Sequence, residues 1–305
     1  MRGRTEWRLA LSALAALAGI CLASGREITL FFSQMKEASW AGIALAAALY
    51  GALCAGIVGC GLARSACADR VIYACRVIRL LVASMAAAFM LCRLGEMGAM
   101  TLPLRHAYAF GAVFGLLGAL MLCRGGARWR FGLFVAVYLA LFYAANALDA
   151  RPVRIYSDGY AEFVLASSVP AALLFAILYA CLAAAAAGWS LGVTQPGAAR
   201  PAALGVKCAA LLGGLLCLAN LALLRGGEAA LTQRLPWVVL SARWGLPGFW
   251  LCAALHALCA LSTLASALSL LLDAAQGSRM TRAPAIFMIV GAALLFCVLS
   301  YRAVA

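Results

Sequence analysis

The sequence predicts an all-α, polytopic membrane protein, and three observations carry that prediction. Of its 305 residues, 67% are hydrophobic and 11% charged, with a mean hydropathy of +1.01. That leaves too few polar side chains to cover a water-soluble fold. The apolar residues come in blocks of about 20, the length a helix needs to cross a hydrocarbon core of about 30 Å. The blocks are continuous and rich in Ala and Leu rather than alternating, which excludes a transmembrane β-barrel.

Nine spans are expected, near 8–33, 40–63, 71–98, 102–123, 129–148, 159–188, 203–224, 247–273 and 283–302, in a single transmembrane domain covering 1–305. Trp40, Trp129, Trp189, Trp244 and Trp250 fall near span ends, as interfacial aromatics do. The formal charge of +14 sits mostly in short connections, as topology signals and headgroup contacts do, so the bilayer is the expected partner and nucleic acid is not. Thirteen Arg and Lys lie on the N-terminal side of the spans against eight on the other, which places the N-terminus in the cytoplasm and the C-terminus outside the cell membrane. The 13 cysteines lie mostly inside spans, where Cys packs as a small apolar residue, and no C-x-x-C occurs.

The first span is the informative one. Its middle, Gly19-Ile-Cys-Leu-Ala-Ser-Gly-Arg-Glu27, carries two glycines, a serine and an adjacent Arg26–Glu27 pair. The dozen residues before Gly19 rise about 18 Å, so the stretch sits near mid-bilayer, where ionisable groups are costly unless paired or facing a cavity. A discontinuous helix lining a binding site accounts for them; the alternative is a continuous helix whose Gly and Ser pack against a neighbour. A cleaved signal peptide would look similar at the N-terminus, but the apolar run resumes at Ile28.

The second span, with Gly42, Gly51, Gly56, Gly59 and Gly61, reads as close-packing scaffold. In the third, Arg93 and Glu96 stand three residues apart, spaced to pair, with an outer gate as the other reading. The sixth span opens with Tyr160-Ala-Glu162 and contains Ala166-Ser-Ser-Val-Pro170, where Pro170 removes a backbone donor and Ser167 and Ser168 can solvate the disturbed turn. It is either a second interrupted span, running opposite to the first, or a simple kink; paired interruptions point to a midplane site. The long connection 226–245, with Leu231-Thr-Gln-Arg-Leu-Pro-Trp-Val-Val-Leu240, is expected as an external re-entrant or interfacial segment. In the eighth span Ser262, Ser266 and Ser269 share a face beside Thr263, and their hydroxyls either back-bond to their own helix or coordinate something. His106 and His256 are isolated, with no nearby Asp or Cys motif and no nucleotide loop. An enzyme is therefore not expected, and His256 reads as a hydrogen-bonded packing residue.

The run Ala18-Gly-Ile-Cys-Leu-Ala-Ser-Gly-Arg-Glu-Ile-Thr-Leu-Phe-Phe32 resembles the first-helix signature of the YkvI-type bacterial integral membrane proteins. Gly19, Ala23, Ser24, Gly25, Glu27, Ile28, Phe31 and Phe32 match, while Cys21, Leu22 and Arg26 depart from the Gly, Phe and Gln of that signature. That family looks like a branch of the amino acid–polyamine–organocation transporters. The resemblance implies a LeuT-like fold of two inverted five-helix repeats, about 8–148 and 159–302 here, with the tenth helix missing. It also implies a solute site at the breaks, with Gly19, Cys21, Ser24, Gly25, Arg26, Glu27, Glu162, Ser167 and Ser168 as candidates. A sodium site would be formed by the carbonyls of Ala15 and Ala18 with the hydroxyls of Ser262 and Thr263. The expected function is secondary transport of a small polar or zwitterionic solute, an amino acid or amine, coupled to Na+ or H+ if to any ion and needing no other cofactor. A non-transporting receptor or assembly protein is the alternative.

Overall fold

In a computed structural model of the chain, residues 2–62, 69–104, 106–123, 128–149, 151, 169–191, 199–231, 235–276 and 285–296 are described. The order is α1 (Arg2–Cys21), α2 (Arg26–Phe31), a 3-10 turn (Ser33–Met35), α3 (Ala38–Leu62), α4 (Asp69–Thr101), α5 (Ala107–Cys123), α6 (Arg128–Leu148) and α7 (Val169–Leu191). It continues with α8 (Pro201–Gly226), α9 (Glu228–Leu231), α10 (Pro236–Ser241), a 3-10 turn (Ala242–Trp244) and α11 (Leu246–Ala275), and then α12 (Ala285–Phe296). Among the described residues six helices are long and apolar enough to cross a membrane, and α1 with α2 makes a seventh if that bent pair is one span. Of the expected nine, 102–123 and 283–302 hold the shorter apolar helices α5 and α12 among the described residues. Glu162, Ser167 and Ser168 lie outside the described residues. Pro170 is in α7, and the rest of the expected interruption, 166–168, lies outside the described residues as well.

α1 is the axis of the bundle. Ala13, Ala16, Leu17 and Ala18 have no exposed surface, and α6, α7, α8 and α11 pack around them. Outside this centre α3 lies against α7 and α8, and α4 lies against α5 and α11. Small residues permit the closest crossings. A Cβ on Gly51 would stand 2.5 Å from the Gly205 carbonyl oxygen, and one on Gly98 would stand 2.4 Å from that of Ala107. Of the second-span glycines, Gly51 sits at the α3–α8 crossing and Gly42 against Phe32, whereas Gly56 and Gly59 face open space. The outward faces carry exposed Phe110, Phe114, Met121 and Leu141, which suits helices solvated by lipid.

Polar groups gather at the two ends. At one, the Lys207 ammonium meets Glu6 at 2.5 Å, and the Arg8 and Arg130 guanidiniums flank the Trp129 ring at 4.9 and 5.5 Å. At the other, Asp149 binds the Arg151 guanidinium at 2.8 Å and the Trp244 indole N–H at 2.7 Å, and the Arg243 guanidinium donates to the Asp149 carbonyl. The hydrogen bonds to Arg151 hold the Asp149 carboxyl well below the usual carboxylate range. Trp40 and Trp250 are exposed near span ends as expected, but Trp189 is 1% exposed and belongs to the core.

Candidate functional site

The first helix is broken. Between Cys21 and Arg26 the axis turns by 86°, and Gly25 takes φ +75°, a conformation that disfavours any side chain. A Cβ there would also come within 2.6 Å of the Trp237 indole nitrogen. Breaking a helix at this depth frees carbonyls that lipid cannot satisfy. Two buried tyrosines satisfy them: Tyr179 Oη donates to the Cys21 carbonyl at 2.9 Å and Tyr143 Oη to the Leu22 carbonyl at 2.6 Å. The rings are fixed in turn, Tyr143 stacked on Trp237 at 4.7 Å and Tyr179 edge-on to Phe31 and Phe32. Trp237 comes from α10, so the connection expected as re-entrant folds back into the bundle and covers the break. No sequence signal marked Tyr143 or Tyr179, because a lone Tyr in an apolar span reads as packing.

The break is at Gly25 and not at Gly19. Gly19 ends no helix; it lets α1 approach α11, since a Cβ would fall 2.9 Å from both the Cys259 carbonyl oxygen and Thr263 Oγ1. The first span is therefore discontinuous, and of the continuous-helix reading only the close packing of a glycine, Gly19, remains. On the far side of the break the Ser24 hydroxyl accepts the Arg26 amide N–H at 3.0 Å and donates to Glu27 Oε2. The partner of Glu27 is thus Ser24, three residues before it. Cys21, expected among the solute contacts, is fully buried, and it offers only a carbonyl already taken by Tyr179.

A cavity of about 520 Å³ opens beside the break between α2, α4, α10 and α11. Its polar lining is Ser24, Arg26, Glu27, Arg93, Glu96 and His256. Arg93 and Glu96 pair as their spacing predicts, at 3.8 Å, but with side chains 48% and 41% exposed, where such a pair contributes little to stability. A smaller space of about 20 Å³ extends inward to the break, bounded by Gly19, Glu27, Arg93 and His256. His256 is buried, with Nδ1 2.9 Å from the Cys252 carbonyl oxygen. It is hydrogen-bonded as expected, and it is also part of the cavity wall.

The oxygens expected to hold sodium come together only in part. Ser262 Oγ donates to the Ala15 carbonyl at 2.9 Å and Thr263 Oγ1 reaches it at 3.5 Å. The Gly19 amide N–H then donates to Thr263 Oγ1 at 2.8 Å, and the Ala18 carbonyl accepts the Leu22 N–H. Here the Ser262 hydroxyl is turned to the Ala15 carbonyl and Thr263 Oγ1 accepts the Gly19 N–H, and so bonded the set ties α1 to α11. The remaining hydroxyls of that face also have protein partners, Ser266 the carbonyl of Ser262 and Ser269 the Arg128 guanidinium.

Fold and cavity together define a multi-pass helical membrane protein built around a broken first helix, with a charged cavity at the break. No protein-family model matches the chain, and no curated protein matches it.

Proposed function

We propose that the protein is a secondary transporter of the cytoplasmic membrane for a small zwitterionic or cationic solute, an amino acid or amine, working by alternating access. The observation that supports this best is the broken first helix, whose freed carbonyls are capped by Tyr143 and Tyr179 and whose Glu27 opens onto a cavity of about 520 Å³. Non-helical backbone at membrane depth persists where it is buried in protein or lines a cavity, and transporters use it so. The size is that of a small-molecule site, and its two arginines and two carboxylates suit a solute bearing both charges.

An inverted five-helix repeat accords with the packing. Counting α1–α2 as one span, the first span touches the sixth, the second the seventh and the third the eighth, while Tyr108 of the fourth stacks on Phe296 of the ninth. Each contact joins elements five apart. The distribution of Arg and Lys puts the N-terminus in the cytoplasm.

The test is uptake of labelled amino acids and amines into proteoliposomes, alongside solute-dependent thermal stabilisation. Glu27→Gln should abolish uptake or alter its pH dependence without lowering expression; unchanged uptake removes Glu27 from the site. Binding without flux makes the protein a solute receptor. Neither binding nor flux for any such solute overturns the reading.

A further inference from the structure

His256 stands at the join of the two cavities and bounds both. A carbonyl only accepts, so the Nδ1 contact with Cys252 at 2.9 Å places the neutral ring's proton on Nδ1. Nε2 is then the atom that takes up a second proton. The inner space of about 20 Å³ has His256 and Glu27 in its wall, and a single water needs about 10–15 Å³. Ser24 holds Glu27 by Oε2, which leaves the other carboxylate oxygen for that water.

We propose that the ion taken up by this cavity is a proton, held between His256 Nε2 and Glu27 across a one-water space, and that sodium has no part in it. The inference rests on the reading of the cavity as a solute site. The proton comes from hydronium in the solvent filling the wide part of the cavity: N–H forms at Nε2 as an O–H bond of the hydronium breaks, and water is left. The cavity wall holds Arg26 and Arg93 against Glu27 and Glu96, so its formal charge is zero with His256 neutral and +1 after uptake. A solute carboxylate is then bound more tightly in acid.

The groups facing His256 are few. α2 contributes Arg26 and Glu27, α4 contributes Cys92, Arg93 and Glu96, and α11 itself contributes Cys252. α10 lines the cavity only with Val238 and the adjoining Leu235. Other titratable side chains packed on α11 have partners away from His256: Tyr138 of α6 on the Leu251 carbonyl, Cys123 of α5 on that of Ala265 and Arg128 of α6 on the Ser269 hydroxyl. Tyr179 of α7 is on the Cys21 carbonyl, and Arg243 of the 3-10 turn is on that of Asp149. Of these groups, a histidine is the one whose ordinary titration falls between pH 5 and 8.

The chain has two histidines, so His106→Gln leaves His256 as the single imidazole for nitrogen-15 NMR of the full-length protein in nanodiscs. The expected result is an Nε2 resonance that titrates, its midpoint moved toward acid in Glu27→Gln, as removal of a nearby opposite charge requires. Exchange of sodium for choline should leave the spectrum and the thermal midpoint unchanged. A resonance that does not titrate, or titrates identically without Glu27, overturns the proposal; so does stabilisation by sodium that Thr263→Ala removes. These readouts need neither solute nor flux. A failed uptake assay with a normal titration would sink the transport reading and leave the proton site standing, and the reverse pairing would do the opposite.

Discussion

Tyr143→Phe and Tyr179→Phe test whether the helix break is dry. Each substitution deletes one hydroxyl and keeps the ring, so the Tyr143–Trp237 stack and the Tyr179–Phe32 contact survive. What is lost is one hydrogen bond to a carbonyl, at 2.6 Å for Leu22 and 2.9 Å for Cys21, from side chains with no exposed surface. A buried acceptor left unpaired costs about 1–3 kcal/mol. Polar contacts between membrane helices often measure lower, about 0.6 kcal/mol, because the unfolded chain in lipid finds other partners. That discount is small here. In the unfolded state these two carbonyls return to a continuous helix and are fully bonded, so the break itself is what needs the tyrosines. The expected cost is about 1–2 kcal/mol for each variant and about 2–4 kcal/mol for the pair. At about 2 °C per kcal/mol for a chain of this size, the double variant should melt about 4–8 °C lower in detergent, read by a thiol-independent thermal-shift assay. A double variant melting within about 1 °C of the parent, on the same scale, would mean that water already reaches the carbonyls, and the capping argument would fail.

Two further outcomes follow from the same neighbourhood. Gly25→Ala places a Cβ in the left-handed region, at about 1–2 kcal/mol, and against the Trp237 indole nitrogen, 2.6 Å away. It should destabilise by more than the backbone term alone, and Trp237→Phe in the same chain should recover part of the loss; equal stabilities of parent and Gly25→Ala would refute the assignment of the turn. For Asp149, Arg151 lowers the folded carboxyl below its unfolded value. Its stabilisation is thus present above about pH 4 and lost as pH falls further. The gap in melting temperature between the parent and Asp149→Asn should be widest near neutrality and shrink between about pH 5 and 3; a constant gap would show that the charge is not what Asp149 contributes.

Much of the bundle was legible because apolar blocks of bilayer length leave little choice. The expected 40–63, 129–148 and 247–273 lie within three residues of α3, α6 and α11. The break in the first span was legible for a different reason: two glycines, a serine and two charges have no place in a plain anchor. Sequence could not divide the labour between the glycines, since one permits a positive φ and the other a close crossing, and only packing distinguishes them. Tyr143, Tyr179 and Trp237 were invisible because the need they meet, two carbonyls freed 120 residues or more away in sequence, exists only once the helix is broken. Where a sodium site was expected, the oxygens are hydrogen-bonded to one another and to the Gly19 N–H. Residue types supplied the oxygens but not the direction of the Gly19 N–H.

The crossing of α3 and α8 has a mechanical consequence. Gly51 and Gly205 meet backbone to backbone, each with its missing Cβ about where the other's carbonyl oxygen stands, at 2.5 and 2.6 Å. A seam of interdigitated side chains resists tilting, because every knob must leave its hole. A contact between two bare stretches of main chain has no such teeth. Alone it would let the helices scissor, but Ala47 against Gly213 and the Asn220 amide donating to Ser39 Oγ hold the same pair away from the crossing, so it is fixed at more than one point.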